Sequence, residues 1–393
     1  MRLLHTSDWH LGITLNEKSR KAEMEAFFEF LLSVIKQNEV DTLVISGDIF
    51  DTASPSSDAE QMYYNFLVSL QGCCCKDVVI IAGNHDSPSK LRASKELLKL
   101  LNIHVYCNLA DVEPLVLPGA IIIPVPFLRD RELLTAVAGD SIDESNDRRK
   151  LAIERVYKEQ LDKAKALGLA KPIVALGHVA VSADFTPEKG LYLGGLGVLD
   201  ASSFSDEFSY VALGHIHKMQ KVNDKVWYCG SPIAMSFDEA KYEKNLVIVD
   251  CEFDKPLEVN LIPIPKWREL ITIKGKLSDV RDRLKELGGK AVVAKEDGLT
   301  GWISVQLEDN WGYGGLKEEA KTLLEGSNYE VLAVKNVGPS PEIATVESVP
   351  LTSLSVNDVF EQLLQERESA EKEELLDLFN YVVKQVEVGQ DEN

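Results

Sequence analysis

Five places along the chain set carboxylate, amide or imidazole groups directly after an apolar run: Asp8 with His10, Asp48, Asn84 with His85, His178, and His215 with His217. Oxygen and nitrogen donors of this kind bind divalent cations. Each position alone has an ordinary reading. A pair such as Gly47-Asp48 usually shapes a turn, and a histidine after a glycine is usually a satisfied loop residue. The conjunction is what points to chemistry. Five of the seven histidines, His10, His85, His178, His215 and His217, stand at the ends of apolar runs, while His5 and His104 lie within them. Alternation along an extended strand would put Asp8 and His10 on one side, and likewise His215 and His217, so that each pair chelates a cation.

The elements that must position these groups read as α/β. Thr42 to Ser46 is an apolar run without alternation, as in a strand buried on both faces, and Gly47 allows a sharp turn before Asp48 and Asp51. Val78 to Ala82, Pro172 to Leu176 and Tyr210 to Leu213 repeat the pattern and end at Gly83, Gly177 and Gly214. Between the first strands, Ala22, Phe27, Phe30, Leu31, Val34 and Ile35 keep helical spacing over Lys21 to Gln37, which makes a βαβ unit. Ligand sites in open α/β sheets form at such strand ends. Runs at Val226 to Cys229, Leu246 to Val249 and Val259 to Ile262 read as meander strands closing a second sheet. From Leu270 onward, strand and helix patterns alternate as in a small α+β domain, and Gly338-Pro339-Ser340-Pro341 introduces a tail with two amphipathic helices. The expected boundaries are 1–265, 266–338 and 339–393.

Bulk composition narrows the class. The 393 residues are 45% hydrophobic and 27% charged, with no apolar run of membrane-spanning length. Met1 to Leu4 is followed at once by His5, Ser7 and Asp8, so neither a signal peptide nor an anchor is expected. Six cysteines, three of them adjacent at Cys73 to Cys75, suit free thiols in a reducing cytoplasm rather than disulfides or a thiolate zinc site. A net charge of −21 opposes whole-surface binding of nucleic acid, so a polyanionic substrate needs bound cations or a basic partner. No Gly-x-x-x-x-Gly-Lys-Ser/Thr loop is present, and ATP hydrolysis by this chain is not expected. Lys18, Arg20, Lys21, Lys90, Arg92 and Arg129 are candidate phosphate contacts, although such charges are more often solvated helix faces.

The ordered series Asp8-x-His10, Gly47-Asp48-x-x-Asp51, Gly83-Asn84-His85-Asp86, Gly177-His178 and Gly214-His215-x-His217 resembles the motif set of the calcineurin-like metallophosphoesterases. The stretches His5 to Gly12, Pro126 to Arg129 and Tyr228 to Pro232 resemble, more narrowly, that family's bacterial nuclease subunits, which work with an ATPase. The segment Ser182 to Phe208 is not a diagnostic part of that match.

The resemblance implies a two-sheet β-sandwich flanked by helices, a small capping domain, and a C-terminal element that docks on the ATPase partner. It implies two divalent metal ions, one on Asp8, His10, Asp48 and His217 and the other on Asp48, Asn84, His178 and His215. The donor set suits manganese, with magnesium or iron as alternatives. By the same resemblance His85 stabilises the transition state or protonates the leaving oxygen, and Asp51 and Asp86 orient their neighbours. The expected activity is a DNA nuclease of the cytoplasm and nucleoid, exonucleolytic (3′–5′) on duplex ends and endonucleolytic on single strands and hairpins, in break processing, recombination and replication. A homodimer through Met62 to Leu70 and Lys90 to Leu101, within a heterotetramer, is part of that expectation. The competing readings are a phosphomonoesterase or cyclic-nucleotide phosphodiesterase with the same centre, and a non-catalytic scaffold, which would be expected to have lost ligands.

Overall fold

The computed structural model describes residues 1–133, 142–182, 199–289, 298–309 and 315–338, together with positions 375 and 379. It divides into two compact units, Met1–Val337 and Gly338–Asn393, and the expected tail helices lie almost wholly outside the described residues.

The first unit is built on two six-stranded sheets. In the first sheet, Arg2–Thr6, Thr42–Ser46, Asp77–Ile81 and Ile103–Tyr106 run parallel in that order. Asn245–Asp250 and then Glu258–Pro263 continue it antiparallel from the Arg2–Thr6 side. In the second, Ile121–Pro124, Ile173–His178, Tyr210–Gly214 and Val226–Tyr228 run parallel, with short antiparallel edge strands Leu115–Val116 and Gln220–Lys221. The meander expectation is thus corrected: of its three runs only Val226–Tyr228 joins the second sheet. The other two pair beside Arg2–Thr6, because Leu3 and Leu4 lie opposite Val249 and Ile248 and bury their side chains on both faces.

Burial on both faces explains why the strands do not alternate. Leu3, Val44, Val79 and Ile81 of the first sheet face Ile122, Val174, Leu176 and Ala212 of the second. Their neighbours Leu4, Leu43, Ile45 and Ile80 pack under the helices Lys21–Gln37 and Ser57–Ser69, against Phe27, Leu31, Phe66 and Leu67. On the far side Ile123, Ala175, Val211 and Leu213 are covered by Val156, Tyr157 and Leu161 of the helix Ile142–Ala166. The layers are helix, sheet, sheet, helix, a sandwich flanked by helices, and no helix among the described residues is long and apolar enough to cross a membrane.

A third sheet, Leu270–Gly275, Gly301–Leu307 and Tyr329–Asn336, is parallel throughout and is covered by the helices Leu277–Gly288 and Leu316–Leu323 around Ile303, Val305, Leu284 and Ala320. It is tied to the sandwich by a buried ionic clasp. Glu23 accepts from Arg20 Nε at 2.6 Å and from Arg268 Nε at 2.8 Å, and the three side chains are at most 9% exposed. The Arg268 guanidinium lies 3.8 Å over the Trp302 ring. Arg20, a candidate phosphate contact, is therefore neither that nor a solvated charge but a buried structural cation. Glu23→Ala leaves two buried guanidinium groups without their carboxylate, and a loss of about 3–5 kcal/mol is expected. Denaturant unfolding followed by circular dichroism checks it; an unchanged midpoint would show that the clasp is not structural.

Candidate metal centre

Parallel strands bring their carboxyl ends to one edge, and here both sheets do so at the same place. Ser46 Oγ donates to the Ala212 carbonyl at 3.0 Å, and His178 Nδ1 donates to the Ser46 carbonyl at 2.8 Å, so the Thr42–Ser46 and Tyr210–Gly214 strands meet where they end. The glycine at each end permits that approach. A Cβ on Gly47, whose φ is +90°, would run into the His178 imidazole, and one on Gly83 would strike the Asp48 carboxylate.

The loops after these strands are not extended. Arg2–Thr6 ends before Asp8, and Asp8, His10, Asp48 and His215 take φ values of 52°, 46°, 50° and 95°. Each such backbone costs roughly 1–3 kcal/mol and persists only where the surroundings hold it. Asp8 N donates to the Gly47 carbonyl at 3.0 Å, His10 N to the Asp48 carbonyl at 3.0 Å and Leu11 N to the Ile49 carbonyl at 2.9 Å, which zips one loop along the other. Strand alternation is therefore overturned as the reason Asp8 pairs with His10, since left-handed turns aim these side chains, and the expected pair of His215 with His217 does not form: His215 faces Asn84 and His217 faces His10.

The expected ligands converge in two groups. Asn84 Oδ1 lies 3.0 Å from both His178 Nε2 and His215 Nδ1. His10 Nε2 lies 3.1 Å from His217 Nε2, and Asp8 belongs to the same cluster. Asp48 joins the two. Its Oδ2 is 3.3 Å from His178 Nε2 and 3.5 Å from His10 Nε2, while its Oδ1 accepts from the His85 amide at 2.9 Å. Asp8 Oδ1 likewise accepts from the His215 amide at 2.9 Å, and Ser7 Oγ donates to its other oxygen. Asp8, His10, Asp48 and His178 are all at most 3% exposed.

The remaining expected residues surround this core. Asp86 is buried and accepts from the amides of Gly83, Ile49 and Phe50 at 2.8, 3.1 and 3.0 Å, locking the Asn84 loop to the Asp48 loop. Asp51 Oδ1 lies 3.4 Å from His10 Nδ1, and the Asp51 carbonyl accepts from His85 Nδ1 at 2.8 Å. His85 is the exposed member of the set, its ring 4.8 Å from that of His10. Arg129, the candidate cation nearest the centre, donates to the Asp86 carbonyl at 2.9 Å and leaves Nη1 buried without a partner. Lys18, Lys21, Lys90 and Arg92 are engaged with Glu330, Asp58, Glu60 and Asp111. The sequence reading missed Glu239, which accepts from His217 Nδ1 at 2.9 Å; it lies 22 positions further on, inside a 3-10 turn, with no motif around it.

Electrostatics test whether the residues fit a cation. Burial alone would lower the His178 pKa, but the Asp48 carboxylate beside it outweighs burial and raises it to about 9. His10 is likewise pushed down by burial and raised overall by Asp51, Asp48 and Asp8. Asp48 is pushed up by burial yet held well below the usual carboxylate range by His178 and His10. Burial and the neighbouring His178 push His215 down to about 4. Without a cation, then, protons on imidazoles balance the carboxylates. With Nδ1 bonded to Glu239, His217 leaves Nε2, 3.1 Å from His10 Nε2, as the nitrogen that faces the site. Ligands on an octahedral ion at about 2.1 Å sit about 3 Å apart, which is the spacing of the donors here. The set fits. Because His178 is protonated below about pH 9, metal loading at pH 7 is expected to release protons, with apparent affinity rising until pH 9 and levelling above it. Calorimetric titration in buffers of different ionisation enthalpy measures the release; loading without it at pH 7 would contradict this charge state.

Residues 1–219 match the family model described as Calcineurin-like phosphoesterase, and residues 266–368 match one described as Type 5 capsule protein repressor C-terminal domain. The chain is 33% identical over 395 residues to the SbcD subunit of Nuclease SbcCD from Escherichia coli strain K12, covering 96% of this chain and 97% of that protein. It is 32% identical over 292 residues to the protein of the same name from Bacillus subtilis strain 168, covering 70% and 71%. To that of Rhodobacter capsulatus it is 29% identical over 269 residues, covering 64% and 66%. The converging donor set thus lies within the matched region, and the chain belongs to the calcineurin-like phosphoesterase family, in the branch of the SbcD nucleases.

Proposed function

We propose that this chain is a metal-dependent DNA nuclease, exonucleolytic (3′–5′) on duplex ends and endonucleolytic on single strands and hairpins, acting with an SbcC-type ATPase in the processing of DNA breaks. The observation that carries the reading is Asp48 Oδ2, buried between His178 Nε2 and His10 Nε2 at 3.3 and 3.5 Å. One ion falls to Asp8, His10, Asp48 and His217, the other to Asp48, Asn84, His178 and His215. Manganese suits these mixed oxygen and nitrogen donors, and magnesium is the alternative. Two bound cations would neutralise and orient a phosphodiester for in-line displacement.

The chain's own residues supply the rest. Asp86 and the paired loops hold Asp48 and Asn84 at fixed separation through backbone amides. His85 is anchored at both ends, its amide on Asp48 and its Nδ1 on the Asp51 carbonyl, so Nε2 is the nitrogen left for a phosphate or leaving oxygen. That arrangement suits a group that hydrogen-bonds the substrate and passes a proton. Arg129, bonded to the Asp86 carbonyl, is the candidate phosphate contact tied to a ligand loop. The acidity of the whole chain, −21, leaves long-range attraction of DNA to the cations and to the ATPase partner.

The domain division follows the same reading: 1–265 as nuclease, 266–338 as capping domain and 339–393 as the docking element for the ATPase. Support for a homodimer comes from the exposed apolar residues Val68, Leu97 and Leu100, 61%, 70% and 81% exposed, on the helical segments expected to pair. Two such subunits with two ATPase subunits make the heterotetramer, in the cytoplasm at the nucleoid.

Purified chain with manganese is expected to cleave linear duplex and hairpin DNA faster than a small chromogenic phosphodiester; the opposite preference would favour the phosphomonoesterase or cyclic-nucleotide reading. His85→Ala should keep both ions by elemental analysis and lose about 10²–10⁴-fold in turnover, whereas Asp48→Ala should weaken both ions. An active His85→Ala protein would sink the role given to that residue. Deletion from Leu354 onward should abolish capture of the ATPase while leaving manganese-dependent cleavage intact; a truncated chain that still binds the ATPase would show docking elsewhere.

A further inference from the structure

His217 rests on a partly buried ionic cluster that no strand end supplies. Glu239 Oε1 accepts from His217 Nδ1 at 2.9 Å, and Glu239 Oε2 accepts from Lys244 Nζ at 2.8 Å and from the Met235 amide at 3.2 Å. Lys244 Nζ also donates to the His217 carbonyl at 2.9 Å and to Ser231 Oγ at 2.8 Å. Ser231 is fully buried and Lys244 is 6% exposed. The histidine is thus gripped twice, its ring by the carboxylate and its backbone by the ammonium, and the two grips are bonded to each other. No other imidazole of the centre is held this way among the described residues. His178 Nδ1 bonds a backbone carbonyl, His215 Nδ1 faces Asn84, and His10 Nδ1 has the Asp51 carboxylate only at 3.4 Å.

A carboxylate on Nδ1 fixes the tautomer with Nε2 free and makes that nitrogen a better donor to a cation. We propose that Glu239, held by Lys244, is a positioning residue for the ion bound by Asp8, His10 and His217, and sets the affinity of that ion separately from the one at Asn84, His178 and His215. The inference rests on the two-ion nuclease reading and deepens it. It predicts that the two sites load unequally and assigns the difference to a residue outside every motif. Lysine at 244 has a defined part: it ties the carboxylate to the His217 backbone, so that loss of either grip frees the ring.

The test is manganese binding by the full chain, followed by calorimetry and by electron paramagnetic resonance, with Glu239→Gln and Lys244→Met beside the parent protein. The parent should take up two ions and show the spectrum of a spin-coupled pair. In Glu239→Gln one site should weaken about 10–100-fold with the other changed less than about twofold, so that at intermediate loading an isolated-ion signal replaces the coupled one. Lys244→Met, which leaves no buried cation unpaired, should show the same selective loss if Glu239→Gln does not fold. Equal weakening of both sites, or two unchanged sites in a folded variant, would overturn the inference. A parent chain that takes up fewer than two ions would instead overturn the two-ion reading beneath it.

Discussion

The Asp48 carboxylate lies between an imidazole that follows the first strand of one sheet and an imidazole that ends a strand of the other, with almost no water around it. Such a charge is costly to bury unless it is paired and hydrogen-bonded, and here it is both. The two sheets can bring their strand ends so close only because their facing layers, Leu3, Val44 and Val79 against Val174, Leu176 and Ala212, are apolar and tightly packed. The centre is thus a property of the sandwich rather than of any one motif.

Backbone strain concentrates at the same place. Four left-handed residues, Asp8, His10, Asp48 and His215, would unwind if nothing held them, and the loop-to-loop hydrogen bonds together with the Asp86 carboxylate hold them. Asp86 touches no expected ligand side chain. Its three bonds to backbone amides nevertheless fix two ligand loops at once, and burial and the neighbouring Asp48 raise its pKa while those amides lower it. Strain stored at a site and offset by such ties is a common way to preorganise ligands.

Charge is distributed to serve two ends. Most basic side chains that might have met DNA are engaged elsewhere: Arg20 and Arg268 clasp Glu23 at the foot of the third sheet, and Lys18 pairs with Glu330 of that sheet. Those cations join parts of the first unit. Arg129 alone of the candidates stands beside the ligand loops, bonded to the Asp86 carbonyl with one nitrogen unpartnered.

The amino-acid sequence by itself marked the side chains that the structure brings together, and that they follow strands, because strand burial writes unbroken apolar runs and sharp turns demand glycine. It also marked the helix Lys21–Gln37 to the residue, since one face of a helix on a core has a fixed period. Tertiary structure decided the rest. Which sheet Asn245–Asp250 joins depends on pairing with Arg2–Thr6, as far as 248 positions away along the chain, and no local pattern records a partner. How Asp8 and His10 converge depends on left-handed turns held by the Asp48 loop, so the strand rule named the right pair for the wrong reason. Glu239 was illegible for the same cause: its role comes from a contact with His217 across 22 positions, and a single carboxylate in a polar turn carries no signal of what it will touch.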